Sequence, residues 1–462
     1  MFSLLPLLFL AQTPTPPPPQ EIVRPQEVRP LPGELDQVPV FNSNSPELVL
    51  ESGILLSTFP PEEKAHPEAH LNFGFEGRFD VFAHHVAKAP TPEDLRTLYL
   101  GVLVHNPGDR PVILRLRQAA SYLSQPDAPF INLPPVRENR FGEVYAGPGS
   151  RVMSDLVRGR RQRQFPAQII IPAGESRMLM NLPIPVRTLE PPLNGRSSYF
   201  RLESTGKVYV ASLAQFAPTD EQGEERSPTL EEWQELLVNG QLATPRDRTP
   251  TPPDSTEGSF IYGRVAGVAQ GSQWQARLTD PDRDYLTIPQ VGQAFSYGIS
   301  TLDRGTLGTG QIQSAPMLVR YPDTAYKAHG NYGIEYRLTL PLHNPSDQPK
   351  TVTITLETPI KQNELDGGLR FFDPLPTATF FRGTVQVQYP DSTGNFQTRH
   401  FHLVQRRGQQ GVPLVTLNLD PQETKTVGFN FLYPPDATPP QVVTVQTLPA
   451  RGTGNGEQGT GE

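Results

Sequence analysis

Apolar and polar residues alternate along most of this chain with a period of two. The pattern recurs in LVLESGILLS (48–57), TLYLGVLVH (97–105), VILRLR (112–117), AQIIIP (167–172), KVYVASLAQF (207–216), YRLTLPLH (336–343), TVTITLE (351–357), GTVQVQY (383–389) and VTLNL (415–419). β-Branched residues are frequent in these runs and turn residues separate them, which predicts strands. One segment breaks the period. In SPTLEEWQELLVNG, Thr229 is placed to cap a helix, Glu232 follows three positions later, and Leu230, Trp233 and Leu237 share a face. Asn239-Gly240 ends it.

A phrase is written twice, as LVHNPGDRP at 103–111 and LHNPSDQP at 342–349. Two further anchors recur in the same order: LVRGRRQRQFP (156–166) with LVQRRGQQGVP (403–413), and IIIPAGES (169–176) with LNLDPQET (417–424). Ala83-His84 and Ala328-His329 also correspond. The four matches predict an internal duplication over roughly 71–218 and 318–449, and Asn-Pro between alternating runs predicts a hairpin. The expected fold is mainly β: two immunoglobulin-like antiparallel β-sandwich modules with one short helix between them.

Composition sets the limits. The chain has 462 residues, 53 Pro, 38 Gly and no Cys, so many short elements in two or three domains are expected. The lack of cysteine excludes a disulfide scaffold, a thiol nucleophile and zinc–thiolate sites. A net charge of −8 argues against nucleic acid as a partner. Leu4 to Ala11 form a short apolar run ahead of a polar, Pro-rich stretch. It reads as a signal peptide, and it is far shorter than the ~20 residues of a membrane-spanning helix. The division expected is a signal peptide at 1–12, a Pro-rich spacer at 13–34, a first module at 35–218, a helix and Pro-rich linker at 219–259, a second module at 260–449 and a Gly-rich tail at 450–462.

The runs FNSNSPELVLESGILLST, EGRFDVFAHHVA, SYLSQPDAPF, YAGPGSRV, YGRVAGVAQGSQW and GTGQIQSAPMLVRYPDTAYKAHGNYG resemble an exported cyanobacterial family of unknown function. The resemblance extends from about residue 30 to 450. It implies export and a cyanobacterial source, and it brings no activity with it.

Candidate chemistry is sparse. His66, His70, His84, His85 and His105 fall within forty residues, and with Asp80 or Glu68 they form a candidate metal set. His66 and His70 lie in a loop-like stretch with Pro67, and the alternative role of His105, like that of His343, is to bond backbone beside a turn. Asp280, Asp282 and Asp284 alternate as in a calcium loop, but Tyr285 and Val291 stand where an EF-hand needs Gly and Glu, so a solvated turn is the simpler reading. Ser204-Thr-Gly-Lys207 has Ser-x-x-Lys spacing without its companion motifs and is expected to be a hairpin turn. Gly305, Gly308 and Gly310 precede no helix and cradle no phosphate. The strongest exposed feature is basic. Arg158, Arg160, Arg161 and Arg163 fall in six residues, and Arg406 and Arg407 occupy the matching place. They are either a solvated hairpin loop or a contact for an anionic envelope polymer or an acidic protein.

No cofactor is implied. The function expected is that of an exported, non-enzymatic binding or structural protein of the periplasm or outer cell envelope. The alternatives are an envelope hydrolase or glycan-active enzyme, whose carboxylates spacing cannot reveal, and a metal-dependent binder using the His-rich first module.

Overall fold

The computed structural model describes residues 17–449 apart from Thr256 and Ser392. The expected signal peptide (1–12) and the Gly-rich tail (450–462) lie outside the described residues. The chain is mainly β, with sheets that are multiple and mixed. Among the described residues there are two α-helices, α1 (Pro148–Val157) and α2 (Leu230–Asn239), and none is long and apolar enough to cross a membrane.

Two pairs of sheet layers each enclose a core. In the first half, strand Leu193–Phe216 belongs to both layers. Residues 193–208 pair with Phe75–Lys88 and Val112–Leu123, and residues 209–216 pair with Leu98–His105 and Gly53–Ser57. The switch occurs at a bulge between Ser204 and Val208. Ser204-Thr-Gly-Lys207 is therefore a bulge inside one continuous strand and not the expected hairpin turn. In the second half, one layer holds Glu335–His343, Thr424–Leu432, Thr379–Pro390 and Phe396–Arg406, and the facing layer holds Ala294–Ile299, Gln441–Thr447, Lys350–Glu357 and Val415–Leu419. Alternate residues from both layers, such as Leu338, Val385 and Phe429 against Ile354, Leu417 and Val443, fill its core.

The two HNP phrases do not make hairpins. Each carries the chain from one layer to the other: Leu98–His105 leads to Val112–Leu123, and Glu335–His343 leads to Lys350–Glu357. A second crossing lies beside each, at 172–175 and 420–423, and the asparagine ties the pair together. Asn106 Nδ2 donates to the carbonyls of Arg110 (2.7 Å), Ile171 (3.0 Å) and Pro172 (3.0 Å), and its Oδ1 accepts from Gly108 N. Asn344 Nδ2 donates to the carbonyls of Gln348 (2.9 Å), Leu419 (3.1 Å) and Asp420 (3.1 Å), and its Oδ1 accepts from Ser346 N. The pairing register agrees as well, with His105 opposite Ser176 and His343 opposite Thr424.

The sheets are not purely antiparallel, and each half borrows strands. Glu27–Arg29 pairs in parallel with 295–297, and Gln20–Arg24 pairs with Leu369–Asp373. Residues 20–29 thus form strands within the stretch expected to be a spacer. Their prolines, Pro19, Pro25 and Pro30, lie just outside the strands, where no ladder amide is needed. Pro39–Ser43 runs parallel to Phe75–Lys88 and antiparallel to Ala266–Gln270, joining a strand of the C-terminal half to the first half's large sheet. In return, Val136–Glu138 pairs with 401–403.

The predicted helix α2 forms as expected. Thr229 Oγ1 accepts from Glu232 N, Glu232 Oε2 accepts from Thr229 N, and Trp233 and Leu237 are buried. Helix α1 is an addition to the single helix expected. Gly147 (φ 88°) precedes it, Pro148 opens it, and Val152, Met153 and Leu156 pack against Phe82, Tyr199 and Leu432 between the two halves.

Candidate functional site: an arginine-lined cleft beside α1

Helix α1 and the loop before it position the predicted arginines. Asn139 organises that loop. Its Nδ2 donates to Val144 O (2.8 Å) and Thr384 Oγ1 (3.2 Å), and its Oδ1 accepts from Val144 N (3.0 Å). The side chain is buried, so these bonds replace the water it gave up. The folded loop and α1 then form the walls of an open cleft of about 640 Å³, with Tyr122, Phe141, Glu143, Tyr145, Arg151, Asp155, Arg160 and Arg161 on its surface.

As a contact for an anionic partner, the four clustered arginines would lie exposed on one loop with no internal carboxylate. Their fates differ. Arg158 turns inward at the helix end: it donates to Ser154 O (2.8 Å), Ser154 Oγ (2.6 Å) and Asn139 O. Carbonyls lack the charge to compensate burial, and burial together with Arg160 lowers its guanidinium to about 10. Arg160 pairs with Asp155 (3.1 Å) and also donates to Phe141 O (2.9 Å). Arg161 is exposed and donates to Phe165 O. Arg163 is exposed, with no carboxylate partner among the described residues. Arg406 and Arg407 are exposed in a separate loop, where Arg407 lies 5.5 Å from the Phe372 ring centre. The six arginines are therefore not one surface.

Arg151, which carried no sequence signal of its own, completes the cleft. Its guanidinium lies 4.1 Å from the Tyr122 ring centre and 4.3 Å from that of Tyr145. The Tyr122 hydroxyl donates to Asp155 Oδ2 (2.6 Å), and burial with this bond pushes its pKa up to about 12, so it remains a donor. The cleft thus offers three guanidiniums, flat aromatic faces and two carboxylates, of which Asp155 is already committed to Tyr122 and Arg160.

The remaining candidates do not converge. His85 is buried, with Nδ1 on Pro46 O (2.8 Å) and Nε2 on Ser43 Oγ (2.9 Å), and burial lowers its pKa to about 3. His70 bonds Ser57 Oγ, His84 bonds Ser197 Oγ, His105 bonds Ser176 Oγ, and His66 stands 3.4 Å from Glu68. Asp80 is buried under Tyr199 and Arg201. Among the described residues no three His, Asp or Glu side chains are grouped to hold a metal ion. Asp280 accepts from Thr287 N in a turn, and Asp284 accepts through its carbonyl from Arg277.

A family model described as protein of unknown function (DUF3370) matches residues 26–447, and the chain belongs to that family. No curated protein matches it in sequence. Among solved structures it is similar to Lac15 from a marine microbial metagenome at 10% identity and a TM-score of 0.10, over 81% of this chain and 55% of Lac15, so it spans about half the length of that protein. It is also similar to the coconut allergen cocosin at 11% identity and a TM-score of 0.10, over 79% of this chain and 76% of that one. A Bacillus subtilis oxalate decarboxylase mutant matches at 11% identity and a TM-score of 0.10, over 87% and 81% of the two chains.

Proposed function

We propose that this member of the family is an exported, non-enzymatic binding protein of the periplasm or outer cell envelope, and that it holds an anionic polymer, or the acidic surface of a protein, in the cleft beside α1. The observation that carries this reading is the lining of the cleft. Arg151, Arg160 and Arg161 line it together with Asp155, Glu143, Tyr122, Tyr145 and Phe141. Phe141 is 64% exposed, a large ring left in water where a flat ligand face could cover it. Guanidiniums recognise carboxylate and phosphate groups by charge-assisted hydrogen bonds. Export, and a cyanobacterial source, rest on the apolar N-terminal run and the resemblance described above. The same reading takes the two halves to be immunoglobulin-like modules that arose by duplication, supported by the matched register and asparagine bonds at the two crossings.

The test is calorimetric titration with polygalacturonate, a carboxylated polysaccharide, with neutral dextran as control. The polyanion should bind and dextran should not. Replacing Arg160 and Arg161 with Gln should weaken binding about tenfold, and added salt should weaken it further. Arg158 is left intact because it holds the loop together. A folded protein that ignores the polyanion at low salt ends this reading.

A glycan-active enzyme is the second reading, because Glu143 and Asp155 line one cleft. Release of reducing ends from an envelope glycan, abolished by Glu143→Gln, would favour it over simple binding.

A further inference from the structure

A second cavity, of about 340 Å³, is lined by residues of both halves. It is assembled from segments distant in sequence: Asn42 and Asn44, residues 262–265, 328–332, Lys361, Phe380, Arg407 and residues 437–439. Its size falls within the roughly 300–1,000 Å³ usual for small-molecule sites. Tyr262, Tyr332 and Phe380 give its walls aromatic faces.

The polar groups are arranged in two sets. The first is a pair of neutral amides. Asn42 and Asn44 are 4% and 3% exposed, and the Oδ1 atom of each is buried without a hydrogen-bond partner in the protein. Water that these buried amide oxygens gave up is not replaced by the protein, so both sites favour a ligand that completes them. The second set is cationic, and its members are not equivalent. Arg264 is neutralised by Glu47, with Asp247 3.7 Å away. His329 is held 3.6 Å from Asp303, and burial lowers its pKa to about 4, which leaves it uncharged at neutral pH. Lys361 and Arg407 have no carboxylate partner among the described residues and are exposed. Lys361 Nζ donates to the Tyr262 hydroxyl (2.9 Å), and Arg407 stands 5.9 Å from the Phe380 ring centre. The uncompensated positive charge therefore lies beside the aromatic walls.

We propose that this cavity is a binding site for a small amphipathic anion, a flat apolar body carrying one carboxylate or sulfonate. The body lies between Tyr262, Tyr332 and Phe380. The anion meets Lys361 and Arg407, and a hydrogen-bond donor on the body reaches Asn42 or Asn44. This site stands on its own geometry and does not depend on the cleft beside α1.

The test uses two dyes with the same rings. Anilinonaphthalene sulfonate carries the anion, and phenylnaphthylamine lacks it. Fluorescence titration of the full chain should show tighter binding of the sulfonate. In the Lys361→Gln/Arg407→Gln variant its affinity should fall about tenfold, while that of the neutral amine changes less than about twofold. Both residues are exposed and outside ion pairs, so the variant should fold, and its thermal transition should match that of the native chain. The proposal is overturned if the native chain binds neither dye, if it binds both equally, or if the folded double variant holds the sulfonate as tightly as before. A benzoate series competing with the dye distinguishes carboxylate from sulfonate preference.

Discussion

The crossing at Asn106 and the crossing at Asn344 are built from the same bonds, yet the arginine loops that lead into them have little in common. At both crossings one asparagine joins two turns, spending both amide hydrogens on three carbonyls and its oxygen on an amide. At the loops, Arg158 is drawn inward by Ser154 and Asn139, whereas Arg406 makes its contact through its backbone amide, to Gln409 Oε1. The difference follows from what each site must satisfy. A crossing buries backbone groups that have no ladder partner, and few side chains can serve donors and acceptors together. A loop in water has no such debt and is free to diverge.

The strongest way to break this comparison is to replace the amide by a carboxylate. Asn106→Asp and Asn344→Asp keep the shape and turn a donor into an acceptor facing three carbonyls. Both positions are fully buried. Each variant should lose about 3–5 kcal/mol of stability at neutral pH, as expected for an uncompensated buried charge. The folded-state carboxyl would be raised above the unfolded value of about 4, so the native state binds the extra proton. The loss should therefore grow as pH rises above about 4 and shrink on acidification. Urea unfolding at several pH values measures it. If one variant is much less affected than the other, the two crossings are alike in appearance only.

Much of this was legible from local pattern. Thr229 with Glu232 caps α2 from three positions away, and HNP is visible twice as a phrase, although each asparagine also bonds carbonyls some seventy residues off, at Ile171 and Pro172 or at Leu419 and Asp420, which made a crossing look like a hairpin. What could not be read locally depends on distant partners. Helix α1 opens with Gly-Pro-Gly, which looks like a turn, and its apolar residues gain a partner only when Phe82 and Leu432 arrive from both halves. The strands at 20–29 look like a Pro-rich spacer until the C-terminal half supplies their ladders. The arginine cluster was visible as composition, but Asp155 and the carbonyls that consume part of it were not, nor was the stacking of Arg151 on Tyr122 and Tyr145. Asn42 and Asn44 gave no signal at all.

The junction offers a contrast with the neutral crossings, because it is tied by charge. Arg201 donates to Glu335 (2.7 Å), and Asp80 is left 3.6 Å from the same guanidinium while accepting from Tyr199 (2.9 Å). Arg201 and Arg337 hold the Glu335 carboxyl low, whereas burial pushes Asp80 up to about 6. Because the folded value lies above the unfolded one, the native state binds the extra proton between about pH 4 and 6, and stability from this group falls as pH rises through that window. Asp80→Asn keeps the acceptor for Tyr199 and should flatten that slope, leaving the variant more stable than the native chain at pH 7 by on the order of 2 kcal/mol. Unfolding curves between pH 4 and 7 check this, and a slope unchanged in Asp80→Asn would mean that the carboxylate stays ionised in the folded chain.

The smallest expected effect bears most directly on the two arginine loops. Arg158→Gln removes a half-buried guanidinium that bridges the end of α1 to Asn139, and bonds from charged donors are worth about 1.5–3 kcal/mol. Arg406→Gln keeps the backbone bond to Gln409 and removes only an exposed side chain, so its effect should stay within about 0.5 kcal/mol. Measured together by chemical denaturation, the two variants compare arginines in the two matching loops, where Arg158 aligns with Gln405 and Arg406 with Gly159. Equal losses would mean that the loops have kept a common structural duty. A large loss at Arg158 and none at Arg406 would show that only the loop beside α1 was recruited to shape the cleft, with Arg151, Arg160 and Arg161 left to face whatever binds there.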